Sequence, residues 1–118
     1  MQLGHNRVLK TNDPTAHAEI EAIRLASQAL GTYDLSGCTL YTSCEPCPMC
    51  LSASIWANIQ TIYYGCTRKD AANIGFRDDA IYEYLSGKNP QLLTLTPLDQ
   101  EACLEIFKTY EASQGTIY

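Results

Sequence analysis

Apolar and polar positions alternate along the chain with two different spacings. After Asp13-Pro14, residues Ile20, Ile23, Ser27 and Leu30 recur at helical spacing, with Ala22 and Ala26 beside them. The spacing predicts a helix opened by an Asp13 cap and Pro14 and closed by Gly31. Thr39 to Thr42 has strand composition, and so has Thr61 to Tyr64 ahead of Gly65. Between them Pro46 starts a second helix, which runs through Cys50, Ile55 and Trp56 to Asn58. A short helical piece is predicted around Ala80 to Leu85, a third strand over Leu92 to Thr96, and a helix over 98–112 beyond Pro97. Ahead of Asp13 there is room only for a strand fragment around Val8. Helices and strands in this order indicate a layered α/β domain.

Length and charge narrow the partners. The chain has 118 residues, the size of one domain, with a core expected to form without disulfides. Eight Lys and Arg against 13 Asp and Glu give a net charge of −5. That balance argues against nucleic acid and against an anionic membrane surface. No stretch approaches the roughly 20 apolar residues of a membrane span, and the N-terminal residues lack an apolar signal core. A cytoplasmic location is expected, where the six cysteines read as thiols or ligands.

Three cysteines fall within seven residues, Cys44-Glu45-Pro46-Cys47-Pro48-Met49-Cys50. One reading is a set of small buried thiols. Another is an iron–sulfur cluster, but its next cysteine would fall where Ser54 stands. The third reading draws in His17-Ala18-Glu19. His17, Cys47 and Cys50 make three protein ligands and leave a tetrahedral position for water, the plan of a catalytic zinc site. Cys44 as a third thiolate would close the site and make it structural. We favour Cys47 and Cys50 because they share the turn after Pro46. Glu19 is two residues from His17, about 200° around a helix, and reaches the water from the side as a proton carrier.

His17-Ala18-Glu19 with Pro46-Cys47-x-x-Cys50 is the zinc nucleobase deaminase pattern. The longer segments are Asn12 to Ile20, Leu40 to Cys50, Asp70-Ala71-Ala72 and Gly75-Phe76, and with them the chain resembles the bacterial guanine deaminase family. The resemblance implies a three-layer α/β/α cytidine-deaminase-like fold with a mixed sheet. It implies one Zn2+ per chain on His17, Cys47 and Cys50, with Glu19 as the proton shuttle. It implies hydrolytic deamination of guanine to xanthine and ammonia in purine catabolism, with zinc hydroxide as nucleophile. Asn6, Asp78 and Trp56 match residues at the base pocket. The tail, 111–118, is expected to cross to a second subunit in a domain-swapped homodimer, bringing Tyr118 to the partner's site.

On the residues alone, Asn6 reads as a turn residue, Asp78 as a solvated charge, Trp56 as core and Tyr118 as a chain end. The zinc motifs are shared with deaminases of cytosine and tRNA adenosine, and these, with another base or a triazine such as ammeline, stand as alternative substrates. The family's first helix, first strand and a Pro-Phe-Gly-Ala type segment have no counterpart in this sequence. A truncated chain is therefore expected, with an exposed sheet edge and exposed apolar helix faces. A catalytically incomplete, zinc-stabilised fragment is the second alternative.

Overall fold

The computed structural model describes residues 1–118. In chain order the elements are α1 (Val8–Thr11), α2 (Ala18–Leu30), β1 (Thr39–Cys44), α3 (Pro48–Trp56), β2 (Thr61–Cys66), α4 (Arg68–Asn73), α5 (Asp78–Leu85), a 3-10 turn (Pro90–Leu92) and α6 (Gln100–Ala112). β1 and β2 form a parallel pair with Thr39 opposite Thr61 and Cys44 opposite Cys66. α3 is the crossover between them, as a parallel pair requires. α2 lies against β1 and α3, and α5 packs on α3 and α4.

The first helix starts later than its sequence predicts. The Asp13 carboxylate accepts from the Thr15 N–H at 2.9 Å and the Thr15 hydroxyl at 2.6 Å. That local turn competes with helical hydrogen bonding and postpones the helix to Ala18. His17 becomes the residue ahead of the helix, with an extended backbone at ψ 156°. The far end is as predicted: Gly31 takes the left-handed conformation at φ 67° and returns its N–H to the Ser27 carbonyl. α3 shows the same shift, beginning at Pro48 with Cys47 as its cap. Around Val8 the chain makes a single helical turn, opened by the Asn6 side chain accepting from the Val8 N–H at 2.9 Å.

The expected mixed sheet is a two-stranded parallel one, because Leu92 to Thr96 pairs with nothing. Leu93 and Leu95 are exposed, and strand composition cannot make a strand without a neighbouring backbone to bond. α4 occupies a stretch whose pattern is mixed. Its start is a capping box, in which Thr67 Oγ1 accepts from the Asp70 N–H at 3.2 Å and the Asp70 carboxylate accepts from the Thr67 N–H at 2.8 Å.

The core is small and sits in one place. Nine residues are buried, and six of them, Ala16, Pro46, Cys47, Pro48, Cys50 and Ser54, surround the starts of α2 and α3. Tyr41 and Tyr63 stack 5.2 Å apart on an open face of the sheet. α6 is exposed along its length, including Ile106 and Phe107. The radius of gyration is 17.1 Å, against about 13.5 Å for a compact chain of this length. No helix is long and apolar enough to cross a membrane.

Gly65 on β2 passes close to β1: a Cβ there would stand 2.8 Å from the Ser43 carbonyl oxygen. That oxygen is backbone and cannot swing aside. Gly65→Ala is expected to cost about 1–3 kcal/mol, read as a lower urea midpoint of the zinc-loaded protein.

Candidate metal centre and active site

Two helix starts build the site. His17 caps α2 and Cys47 caps α3, both with extended backbone, and Cys50 lies in the first turn of α3. His17 Nδ1 stands 3.6 Å from Cys47 Sγ and 3.5 Å from Cys50 Sγ. All three donor atoms lie within 4.8 Å of one another. A tetrahedral ion with bonds of about 2.3 Å to sulfur and 2.0–2.1 Å to nitrogen separates N from S by about 3.6 Å. Nδ1 therefore stands at the spacing zinc requires from both sulfurs, as the imidazole donor. One imidazole and two thiols suit zinc by chemistry as well.

Acidity follows the same geometry. The Cys47 thiol falls to about 6. The Cys50 side chain hydrogen-bonded to it is the main cause, and the Cys50 and Met49 N–H groups and His17 act in the same direction against burial. Cys50 moves up, because it keeps the proton it shares with Cys47, lies buried and faces the Glu19 carboxylate. Metal binding takes both as thiolates and so expels the proton that the pair shares.

Cys44 and Ser54 settle the competing readings of the motif. The Cys44 thiol turns to the Thr67 carbonyl, 3.9 Å away, and lies outside the donor cluster. Burial, Asp78, Cys66 and Glu19 all push that thiol up, away from the thiolate a metal needs. Ser54 is buried, but its hydroxyl donates to the Cys50 carbonyl within α3 at 2.8 Å, so it supplies no fourth ligand.

Glu19 is the second residue of α2, half-buried, and lines an apolar cavity of about 720 Å³ between α2, β1 and the N-terminal residues Met1 to Gly4. The 200° helical offset from His17 does not apply, since His17 is outside the helix. Instead Thr42 on β1 donates its hydroxyl to Glu19 Oε1 at 2.7 Å. Sequence reading passes over Thr42. The available signal is strand alternation, which puts Thr42 on the half-buried face with Leu40 and Cys44.

Of the other predicted residues, Asp78 is half-buried at the start of α5 and acts electrostatically on Cys44 together with Glu19. Asn6 is exposed, and its oxygen is spent on the Val8 N–H. Its neighbour Arg7 donates its N–H to the Ala16 carbonyl at 2.9 Å, next to His17. Trp56 and Tyr118 are brought together elsewhere. Their rings lie 5.9 Å apart, with Tyr33 6.2 Å from Tyr118, in a hollow that Glu19 does not line. Tyr118 thus lies against its own chain here. Two supporting residues escape the sequence reading. Tyr82 on α5 donates to the Pro46 carbonyl at 3.2 Å beneath the Arg68 guanidinium, and Glu45 accepts from the Arg68 N–H at 3.0 Å. Both tie the cysteine loop to α4 and α5.

Zinc uptake checks this assignment. Cys50→Ser is expected to lose the single zinc per chain that the donor set accommodates, whereas Cys44→Ser keeps it, read by elemental analysis after gel filtration. A chelator is expected to lower the melting temperature of the unsubstituted chain and of Cys44→Ser alike.

Residues 1–66 match the family described as the cytidine and deoxycytidylate deaminase zinc-binding region. Guanine deaminase of Bacillus subtilis (strain 168) is 55% identical over 80 residues, covering 68% of this chain and 51% of that protein. The crystal structure of guanine deaminase from Bacillus subtilis superimposes with a TM-score of 0.84 at 41% identity, over 92% of this chain and 70% of that one. A tRNA-specific adenosine deaminase of Agrobacterium fabrum is 52% identical over 60 residues, 51% of this chain and 40% of that protein. The chain thus spans about half the length of the curated relatives it matches. With the His17, Cys47 and Cys50 donors at zinc spacing inside the matched residues, this chain belongs to the cytidine and deoxycytidylate deaminase zinc-binding family.

Proposed function

We propose that this chain carries out zinc-dependent deamination of guanine, giving xanthine and ammonia, as a step of purine catabolism. One observation carries the reading: Glu19 meets Cys50 of the donor set and also lines an apolar cavity large enough for a purine. The likeness to guanine deaminase supports that base over others. The net charge of −5 disfavours a tRNA substrate.

Zinc held by the three donors supplies the Lewis acidity that makes water a nucleophile at neutral pH. Glu19 accepts a proton from the attacking water and passes it to the ring nitrogen beside the amino-bearing carbon. It then carries the second proton to the departing amine, so that water and guanine become xanthine and ammonia. Asp78 accepts from purine N–H groups at the edge of the base. Asn6, whose oxygen is engaged with Val8, offers its amide nitrogen as a donor. Trp56 and Tyr118 join the base site through a homodimer in which the tail, 111–118, of one copy reaches the other. The exposed apolar residues of α6 supply a motive for that exchange. The whole chain acts as one catalytic domain, and its free thiols suit the reducing cytoplasm.

The test is ultraviolet-monitored conversion of guanine by the zinc-loaded chain. Glu19→Gln is expected to retain zinc and lose about 10²- to 10⁴-fold in kcat; an active Glu19→Gln protein overturns the mechanism. Asp78→Ala is expected to lower kcat/KM for guanine by about 10- to 100-fold, the cost of a charged hydrogen bond. An unchanged value points to another base, with cytosine and ammeline the first to assay.

A further inference from the structure

Glu19 poses a mechanical problem. A glutamate carries its carboxylate at the end of three rotatable bonds, and Glu19 extends from the first turn of α2 into an open cavity. Proton transfer needs that carboxylate in one place, because a misplacement of about 1 Å costs on the order of 10²-fold in rate. Three features of β1 address this. Thr42 Oγ1 donates to Glu19 Oε1 at 2.7 Å, a short bond to a charged acceptor. The same hydroxyl lies 3.1 Å from the Cys44 carbonyl, an acceptor fixed in the strand. Thr42 is also β-branched and set in a paired strand, which leaves its χ1 little freedom. A stiff group on the sheet therefore grips a flexible one on the helix. The Cys50 side chain meets the same carboxylate from the metal side.

We propose that Thr42 is a positioning residue for the reaction: its hydroxyl anchors one oxygen of Glu19 and leaves the other directed at the metal centre and the cavity. The proposal rests on the reading of Glu19 as the proton carrier. Thr42 lies outside the donor cluster and lines the cavity beside Glu19. Valine keeps its bulk there, so removing the hydroxyl alone acts on the proton-transfer steps.

Thr42→Val preserves the shape and removes the hydroxyl, and Thr42→Ser restores the hydroxyl without the methyl. In zinc-loaded protein Thr42→Val is expected to lower kcat on guanine by about 10- to 100-fold while KM and zinc content stay within about twofold. Thr42→Ser is expected to recover most of that loss. Crystal structures of both zinc-loaded variants are expected to show Glu19 displaced or in two rotamers in Thr42→Val, and in its original position in Thr42→Ser. An unchanged kcat in Thr42→Val, a fall that serine does not rescue, or a Glu19 carboxylate unmoved in the Thr42→Val crystal overturns the proposal. Absence of guanine turnover in the unsubstituted chain defeats the functional reading instead, and the two crystal structures then decide the role of Thr42 by themselves.

Discussion

Everything in this chain is arranged around one spacing: an imidazole nitrogen held 3.5–3.6 Å from two cysteine sulfurs. No single element creates it. His17 ends the loop before α2, Cys47 ends the loop before α3, and the two helix starts must meet for the donors to converge. A metal that bonds all three crosslinks those loops as a disulfide would, and it does so at the only densely buried part of the protein. With so little apolar area buried elsewhere, metal binding carries a larger share of folding free energy than it would in a well-filled domain of this size.

The local electrostatics prepare the site for that role. A helix start presents unpaired N–H groups and a partial positive charge, which favour a thiolate. Cys47 benefits and Cys50 holds the shared proton. Burial, and then the charges of Asp78, Cys66 and Glu19, push Cys44 on β1 the other way. The three cysteines of one motif thus differ in acidity because of the Cys47–Cys50 hydrogen bond, burial, one helix end and the nearby carboxylates. Tyr82 and Glu45 then hold the cysteine loop to α4 and α5, so Asp78 at the start of α5 is fixed relative to the donors.

Around this rigid centre the protein leaves apolar surface uncovered. The Tyr41–Tyr63 face of the sheet, the cavity beside β1 and the side chains of α6 are all open. Surface of this kind ordinarily meets another polypeptide. The matched stretches take in only 51% of the Bacillus subtilis guanine deaminase and 40% of the Agrobacterium fabrum tRNA-specific adenosine deaminase. The donor set needs none of that surface: its three residues lie within 17–50.

The amino-acid sequence by itself narrowed the ligands to His17 and the cysteines of one motif, because donor chemistry and spacing are local properties. It likewise determined where α2 ends, at a glycine that accepts the left-handed conformation, and that strands flank α3. It left three matters to the tertiary structure. Whether Leu92 to Thr96 forms a strand depends on a neighbouring backbone, and none is there. Whether Cys44 joins the metal depends on the Thr67 carbonyl, contributed from 23 residues away. Where Glu19 points depends on Thr42, also 23 residues away, whose hydroxyl meets it only because β1 packs under α2. Helix caps and donor spacings are read within a turn or two of chain; the direction of a flexible carboxylate is set by whatever the fold brings against it.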